Sequence, residues 1–432
     1  MTSASEIADA VTRLAREESG RVLALLTRRF RSLDAADDAV QEALITALTA
    51  WKSGIPKNPA AWLYTVARNA LIDQVRRAEA SRRQLRAAAP ELTAHHTNHN
   101  EEEEPDLIMD ASSLGDERLR LLLLCCHPAL DRDTQVALTL RLAGGLTAAE
   151  VAAAYLLPEA TLTQRVVRAK RKIREAGMPL SIPANLNERV GALLRVLYLI
   201  FNEGYLSRGA EHVTRVDLIT EAIRLTRQVV DELPSSAEAE GLLALELYHH
   251  ARSASRVDGA GELVLLERQD RSGWNLAEIT EANARVRNAM THMAPGPYQV
   301  QAIIAGHHAN ARTAADTDWS AIAELYRRLA QMAPNPVVDL NRGVAIAMAD
   351  GPLAGLAMLD RLTGLNDYHL FHAARGELLA RAGRPAAASF ERAMQLTSNG
   401  AERRHLARRI TETSAASVAS PGEIPGRVTP LT

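Results

Sequence analysis

Residues 146–176, LTAAEVAAAYLLPEATLTQRVVRAKRKIREA, have the pattern of two helices joined by a tight turn. Thr147 suits the capping position of the first helix, and Glu150, three residues later, completes a capping box. Pro158 suits the first position of the second helix, because a backbone N–H there has no partner within the helix. The stretch therefore predicts a helical hairpin.

The second helix of this hairpin has an apolar face and a polar face. Its apolar residues recur at helical spacing: Leu162, Val166, Ala169 and Ile173. The opposite face carries Gln164, Arg168 and Arg171, flanked by Arg165, Lys170, Lys172 and Arg174. Arg can bind a guanine edge with two hydrogen bonds, Gln can do the same for adenine, and other cations suit phosphates. This pattern predicts a DNA-reading helix-turn-helix; a hairpin with a solvated basic face is the alternative.

The composition favours an all-α protein. The chain has 432 residues, which is enough for about three domains. Ala, Leu and Arg dominate, and aromatic residues make up only 4%. The formal net charge is −2, so any basic surface must be local and offset elsewhere. The prediction of nucleic-acid binding therefore depends on the hairpin and not on the overall charge.

The two cysteines are adjacent, Cys125 and Cys126. This excludes a disulfide framework and fits a reducing cytoplasm. Adjacent cysteines also make poor zinc ligands and only a strained disulfide, so we expect core thiols. We find no signal peptide and no apolar run long enough to span a bilayer. The expected localisation is cytoplasmic, without a membrane partner.

Two amphipathic helices are expected before the first loop. The first spans residues 6–30, and the second spans residues 34–51 with Asp34 as its cap. Acidic residues crowd the first turn of the second helix, where the helix dipole favours them. Its polar face, which is left for water or for a partner, comprises Asp37, Asp38, Gln41 and Glu42.

A loop with Gly and two prolines, residues 51–59, precedes a third helix over residues 60–86. This helix carries several arginines, and Trp62 and Tyr64 lie near its start. Cations beside aromatic rings suit single-stranded or melted DNA, because bases stack on the rings while the cations hold the backbone. A core position for Trp62 is an equal alternative.

Three motifs in sequence order are DDAVQEALITALTAW (37–51), PAAWLYTVARNALIDQVRR (59–77) and GLTAAEVAAAYLLPEATLTQRVVRAKRKI (145–173). Together they resemble a bacterial sigma-70-family transcription initiation factor, most closely the extracytoplasmic-function group. The segments VLYLIFNEGYLSR (196–208) and LLERQDRSGWN (265–275) also look like the subgroup with a fused C-terminal repeat domain. The resemblance implies two small helical sigma domains, the second with a helix-turn-helix, followed by a helical-repeat domain.

The resemblance also implies a role for individual residues. Those that match the helix docking on the β′ coiled coil of RNA polymerase are Asp37, Asp38, Gln41 and Glu42. In the loop that captures a flipped base of the −10 promoter element, the matching residues are Lys52, Lys57 and Asn58. The following helix, which contacts melting DNA, matches at Arg68, Asn69, Asp73, Arg76 and Arg77.

For the reader of the −35 element, the matching residues are Thr161, Thr163, Gln164, Arg165 and Arg168. We add Arg171, because it shares the outward face of the same helix. Ala160 stands where many relatives have Gly, which leaves the local base contacts undefined.

The predicted organisation has five segments. They are sigma domain 2 (1–86), a flexible acidic linker (87–113), sigma domain 4 (114–177), a helical-repeat domain (178–410) and a disordered tail (411–432). The linker contains AHHTNHN, and a disordered His-rich segment is favoured there over a metal site at His95, His96 and His99. Residues 368–396 have the small residues and turn of a tetratricopeptide-type helix pair.

The resemblance therefore implies a sigma factor that binds core RNA polymerase through the β′ coiled coil and the β flap. It would recognise the −35 and −10 promoter elements and promote melting, and its repeat domain would tune activity by docking on the sigma unit or on polymerase. We expect no catalytic residue, metal or cofactor, and no enzyme activity; Glu203 lacks a partner cluster in the sequence.

Two alternatives stay open. The first is a helix-turn-helix regulator with a repeat-type sensor domain that acts without core polymerase. The second is an enzyme or scaffold in which the C-terminal half is primary. The sequence shows no spaced Ser/His/Asp set, Gly-rich phosphate loop or metal-ligand pair on one helix face that would favour the second alternative.

Overall fold

The computed structural model describes residues 4–88, 111–155, 157–178, 180–181, 185–206, 215–256, 258, 264–397 and 400–418. These residues form α-helices, short helical turns and connecting segments, and none of them forms a strand. The prediction of an all-α fold is confirmed. The histidines of the predicted linker, His95, His96 and His99, lie outside the described residues.

The first of two compact units comprises residues 1–201 and 214–232. Its helices are α1 (Ala4–Phe30), α2 (Leu33–Ala50), α3 (Pro59–Ala88), α4 (Ala111–Cys125), α5 (Arg132–Leu138), α6 (Ala148–Ala154), α7 (Glu159–Glu175), α8 (Leu186–Leu206, up to residue 201) and α9 (Arg215–Glu232). Helices α1, α2 and α3 pack on one another. Val22, Val40 and Leu63 are fully buried among the residues of these helices.

The hairpin predicted over residues 146–176 has the expected capping box. The Glu150 backbone N–H donates to Thr147 Oγ1 at 3.2 Å, and the Thr147 N–H donates to Glu150 Oε2 at 2.7 Å. Burial opposes ionisation of Glu150, but the hydrogen bonds from Thr147 and the nearby Arg16 outweigh it and lower the pKa of the carboxyl. Pro158 precedes α7 and is not its first residue.

The predicted cap of α2 is wrong. Ser32 occupies the capping position, and its side chain accepts a hydrogen bond from the Ala35 backbone N–H at 3.3 Å. Ser and Asp are comparable caps, so the sequence did not discriminate between Ser32 and Asp34. Asp34 is the second residue of the helix, and its carboxylate lies near two cations of α7.

The segment between α5 and α6 packs closely on α1. Gly145 has a φ of +68°, and a Cβ at this position would lie 2.1 Å from the carbonyl oxygen of Ala15. A Cβ on Gly20 of α1 would lie 2.9 Å from the carbonyl oxygen of Ala143. Only glycine allows these backbones to approach so closely. The two segments that the resemblance assigns to sigma domains 2 and 4, residues 4–88 and 111–178 (called the sigma-like halves below), are therefore in direct contact.

Two helices of the segment that the sequence analysis assigned to the repeat domain pack within the first unit. Arg189 of α8 donates to the carbonyl oxygen of Leu123 in α4 at 2.5 Å. Glu221 of α9 is buried, and its carboxylate pairs with Arg224 beside Gly144. The contacts of the sigma-like halves therefore continue beyond the boundary predicted at residue 177.

The second unit comprises residues 202–213 and 233–432. Its helices are α10 (Ala237–Ala251), α11 (Leu276–Thr291), α12 (Pro297–Asn310), α13 (Trp319–Met332), α14 (Pro336–Asp350), α15 (Pro352–Leu359), α16 (His369–Arg381), α17 (Ala387–Leu396) and α18 (Gly400–Val418). Helices that follow one another pack together along the unit. Gly376 lies against the ring of Phe390, a close approach between α16 and α17.

The last helix extends into the predicted tail. Helix α18 continues to Val418, so the prediction of disorder from residue 411 is wrong for residues 411–418. Leu406 belongs to a core cluster with Phe390, and Arg409 binds Glu377 with two hydrogen bonds of 2.7 and 2.8 Å. These contacts anchor a helix whose own sequence near its end is rich in Ser, Thr and Ala.

Candidate nucleic-acid interface

Helix α7 buries its predicted apolar stripe. Leu162 and Ile173 are 1% and 5% exposed, and Val166 and Ala169 are also buried. The opposite side carries the residues that the sequence assigned to DNA. Five of these are exposed: Thr161, Thr163, Gln164, Arg168 and Arg171. The inward stripe therefore orients α7 so that its predicted reading face points to solvent.

The side chains of the reading face make only weak local contacts. Arg168 Nε donates to the carbonyl oxygen of Gln164 at 3.3 Å, and Arg171 lies 3.8 Å from Glu175. Arg165 is half-buried and lies 3.4 Å from Asp133 of α5. Exposed ion pairs of this kind contribute little to stability. The guanidiniums can therefore exchange these contacts for base edges or phosphates.

Helix α3 presents most of its predicted DNA residues to solvent. Asn69, Asp73, Arg76 and Arg77 are exposed, whereas Arg68 is half-buried. Arg77 Nε donates to the carbonyl oxygen of Asp73 at 3.2 Å. This face combines cations, an amide and a carboxylate, which allows contacts with both phosphates and base edges.

The loop before α3 is exposed at Lys52, Lys57 and Asn58. Asn58 has a structural role, since its Oδ1 accepts a hydrogen bond from the Ala61 backbone N–H at 3.0 Å and caps α3. Gly54 has a φ of +139° and open space around it. The loop therefore stands clear of the packed helices.

Two tryptophans hold the base of this loop. Trp51 is fully buried, and Trp62 packs edge-on against it with ring centroids 5.4 Å apart. Trp62 itself is half-buried. The packing on Trp51 favours a structural position for Trp62, with part of its ring still accessible.

The acidic face of α2 is open at two of its four predicted polymerase residues. Asp38 and Glu42 are exposed, and Gln41 is half-buried. Asp37 was expected to be exposed, but its side chain is buried in the structure. Asp37 Oδ2 lies 3.0 Å from Lys170 Nζ of α7. A buried charge requires such a partner.

Asp34, Lys170 and Arg174 also meet at this contact, and the sequence did not indicate it. Lys170 lies 3.6 Å from Asp34 in addition to its contact with Asp37, and Arg174 hydrogen-bonds Asp34. In the sequence the two cations are only flanking members of a basic helix. Lys170 and Asp37 are 133 residues apart, and no local pattern indicates that they meet.

The cysteines are fully buried, as predicted for core thiols. Burial raises the pKa of Cys126 to about 12 and also raises the pKa of Cys125. Both thiols therefore stay protonated at neutral pH, which disfavours nucleophilic or metal-binding roles. Within the described ranges, no group of three His, Cys, Asp or Glu side chains is arranged to hold a metal ion.

The second unit contains a cavity of about 540 Å³. Its wall is mainly apolar and includes Trp319, Val344 and Met348, with His308 at one side. Burial, followed by the charges of Arg252 and Arg271, lowers the pKa of His308 to about 4. The imidazole is therefore neutral at physiological pH.

Of the helices that the structure describes, none has the length and apolar character needed to cross a membrane.

Comparison with known proteins identifies two parts of the chain. Residues 14–81 match the family model for sigma-70 region 2. Residues 189–290 match a family of unknown function, DUF6596. The chain is also similar to "Uncharacterized protein R00370" from Rhizobium meliloti (strain 1021), with 41% identity over 401 residues, which covers 91% of this chain and 94% of that protein. No solved structure matches the chain.

Proposed function

The chain belongs to the family of the Rhizobium meliloti protein and, through its region 2, to the sigma-70 family. From this premise we propose that it initiates transcription. The match to sigma-70 region 2 supports a role in binding core RNA polymerase and promoter DNA. We propose that it is an extracytoplasmic-function-type factor in which α2 docks on polymerase, α3 and its loop bind the −10 element, and α7 reads the −35 element. The chain would make and break no bond itself.

The orientation of α7 carries this proposal. A helix-turn-helix reads DNA by placing its second helix in the major groove, where Arg and Gln recognise base edges. Helix α7 buries its apolar stripe and exposes Gln164 and Arg168. This reading helix lies in the same compact unit as the region 2 helices, so one chain holds two DNA-binding surfaces.

A division of labour between the two DNA surfaces follows from their shapes. Helix α7 suits duplex DNA, because its face is a single exposed row. The loop before α3 suits opened DNA, because it is exposed and flanked by cations at Lys52 and Lys57. A base captured from the stack costs a few kcal/mol to unstack, and a pocket at this loop would offset part of that cost.

We further propose that the C-terminal region tunes activity through α8 and α9. These helices pack in the first unit, where Arg189 and the Glu221–Arg224 pair contact α4 and the segment before α6. The match to DUF6596 begins at residue 189 and continues to residue 290. It therefore includes most of α8 and α11 and the whole of α9 and α10.

The test is run-off transcription by the full chain with core polymerase, on genomic fragments enriched by the reconstituted holoenzyme. The variant Arg168→Ala should lower transcription about tenfold or more, since a good bidentate base contact contributes about 1–3 kcal/mol. Arg132→Ala is the matched control, because Arg132 is an exposed cation of the same half that lies on α5, outside both DNA surfaces. The control should transcribe like the wild type.

Two results would contradict this proposal. Specific duplex binding without any transcript, by a folded chain with core polymerase present, would favour the helix-turn-helix regulator that acts alone. Equal loss of transcription in Arg168→Ala and Arg132→Ala would show that α7 contributes only general positive charge. Arg224→Met tests the tuning role separately: a transcript level unchanged from the wild type would count against it.

A further inference from the structure

We infer that α7 is also a latch: Lys170, with Arg174, occupies the acidic start of α2 and withholds Asp37 from polymerase until the two sigma-like halves separate. This inference rests on the proposed function, because it assigns a regulatory state to the same polymerase-docking helix. It concerns two cations that lie outside the predicted DNA-binding set.

The geometry of the latch is that of a buried ion pair. Lys170 Nζ lies 3.0 Å from Asp37 Oδ2, and each side chain is 9% exposed. Asp34 adds a second carboxylate, 3.6 Å from the same ammonium, and also pairs with Arg174. Removing one partner of a buried pair leaves an uncompensated charge. Asp37 can therefore leave this site only if it finds another cation or water.

The latch separates the two functions of α7. Lys170 lies on the inward side of the helix next to the buried Ala169, whereas Gln164 and Arg168 lie on the exposed side. The closed unit therefore leaves the predicted DNA-reading face accessible. It covers part of the face of α2 that the resemblance assigns to polymerase. The contact that opposes polymerase binding does not block the −35 reader.

A second set of contacts joins the same two halves. Glu117 of α4 is completely buried and accepts a hydrogen bond of 2.5 Å from Arg28 of α1. Gly145 and Gly20 allow the close backbone approach to α1 described above. The latch is therefore the edge of an extensive packed interface. Under this inference, opening separates the two halves while the helices of each half remain intact.

The partner that competes with the latch must be basic. The start of α2 offers the carboxylates of Asp34, Asp37, Asp38 and Glu42. In the closed unit two of them already bind an ammonium and a guanidinium. A basic surface of polymerase would replace Lys170 and Arg174 at these carboxylates. When only a fraction of the chain is open, the observed affinity for that partner falls by this fraction.

The experiment measures opening and polymerase binding on the full chain. Fluorophores are attached at Asp9→Cys on α1 and Arg132→Cys on α5, two exposed positions on different halves. The native Cys125 and Cys126 are fully buried, so they do not compete for the label. Energy transfer reports the distance between the halves without polymerase, and a titration with core polymerase gives the Kd.

The decisive variant is Lys170→Met, which keeps the length of the side chain and removes its charge. Lys172→Met is the matched control, since the Lys172 ammonium donates to the carbonyl oxygen of Ala129 within the same half. Lys170→Arg retains the charge and should behave like the wild type. Circular dichroism of each variant establishes that the helices are intact.

We expect Lys170→Met to lower energy transfer and to tighten polymerase binding by about tenfold or more, because a larger fraction of the chain is open. Asp34→Asn, which removes the partner of Arg174 and also one carboxylate offered to polymerase, should lower energy transfer by less. Lys172→Met and Lys170→Arg should match the wild type in both.

The inference is overturned if Lys170→Met leaves energy transfer unchanged, or if it opens the unit and polymerase binding weakens. The second result would show that Lys170 assists binding. A wild-type chain and variants that all fail to bind polymerase would overturn the proposed function itself, and the inference with it. That failure is distinguishable, because energy transfer is measured without polymerase.

Discussion

The first unit joins helices that are far apart in the sequence, whereas the second unit joins mostly helices that follow one another. Lys170 and Asp37 are 133 residues apart, and Arg28 and Glu117 are 89 residues apart. In the second unit, α13 packs on α14 and α16 packs on α17. An exception there is the exposed pair of Arg381 and Glu267.

This difference indicates where each unit can open. Contacts between distant segments can break while the backbone hydrogen bonds of each helix persist, because those bonds join residues four apart in the same helix. A stack of neighbouring helices has few contacts between distant segments, because each helix buries its apolar face on the next one in the chain. The first unit is therefore suited to a change of state, and the second unit to a fixed surface.

The largest expected effect is at Gly145. Gly145→Ala places a Cβ 2.1 Å from the Ala15 carbonyl oxygen in a residue with a φ of +68°. We expect a loss of about 3 kcal/mol or more, since overpacking costs about 1–3 kcal/mol and a left-handed backbone about 1–2 kcal/mol. Hydrogen exchange resolved by unit is the measurement, because a chain with two units does not unfold in one step.

Gly383→Ala is the control for this variant. Gly383 lies in the second unit with a φ of +66°, but a Cβ there meets nothing within 4 Å. Only the cost of the left-handed backbone remains, about 1–2 kcal/mol. Equal losses from the two variants would show that the close approach between the halves is not maintained in solution.

A second comparison uses pH. Burial lowers the pKa of His308 to about 4 and that of His249 to about 3, both in the second unit. The folded unit keeps these rings neutral, whereas the unfolded chain binds protons below about pH 6.5. Stability from these histidines is therefore present above pH 6.5 and is lost as the pH falls toward 4.

Between pH 7 and pH 5 the loss should be about 2 kcal/mol for each of these two rings. The first unit should lose less, because the pKa of His127 is lowered without a large shift. Burial also raises the pKa of Glu221, so acidification favours its folded state. Exchange rates at both pH values test this, and His308→Gln should flatten the response of the second unit. A steeper response in the first unit would contradict the expectation.

The smallest expected effect is the loss of stability on removing a helix cap, and it should be the same in both units. Ser32 caps α2, and Asp318 caps α13 by accepting a hydrogen bond from the Ala321 N–H at 2.9 Å. Replacing either residue by Ala should cost about 1 kcal/mol, because a cap satisfies one backbone donor wherever the helix lies. Hydrogen exchange resolved by unit again provides the measurement. A much larger loss for Ser32→Ala would mean that the start of α2 also supports the interface between the halves.

Much of the fold could be predicted from local patterns. The apolar stripe of α7 and the capping box at Thr147 are encoded within a few residues, and both occur in the structure. The cap of α2 could not be predicted as well, because Ser32 and Asp34 are both good caps. The end of α18 was missed because the packing of Leu406 on α17 and of Arg409 on α16 stabilises it.

Some features of the candidate site could likewise be predicted from the sequence, and others could not. The exposed sides of α7 and α3 follow from helical periodicity, which also placed Gln164, Arg168 and Asn69 outward. The burial of Asp37 does not follow from it, because the position has an acidic polar side chain in the first turns of an amphipathic helix. No pattern on α2 indicates that a lysine of α7 covers this carboxylate.

The sequence by itself determined that the described part of the chain is helical, about where α1, α2, α3 and α7 begin and end, and which side of α7 faces solvent. The physical reason is that capping and amphipathic periodicity act between residues within about two turns. Only the tertiary structure decided that Lys170 and Arg174 belong to the acidic start of α2, and that α8 and α9 pack with the sigma-like halves. Those contacts depend on the packing of segments more than 60 residues apart, and charge and burial at such contacts have no local signal.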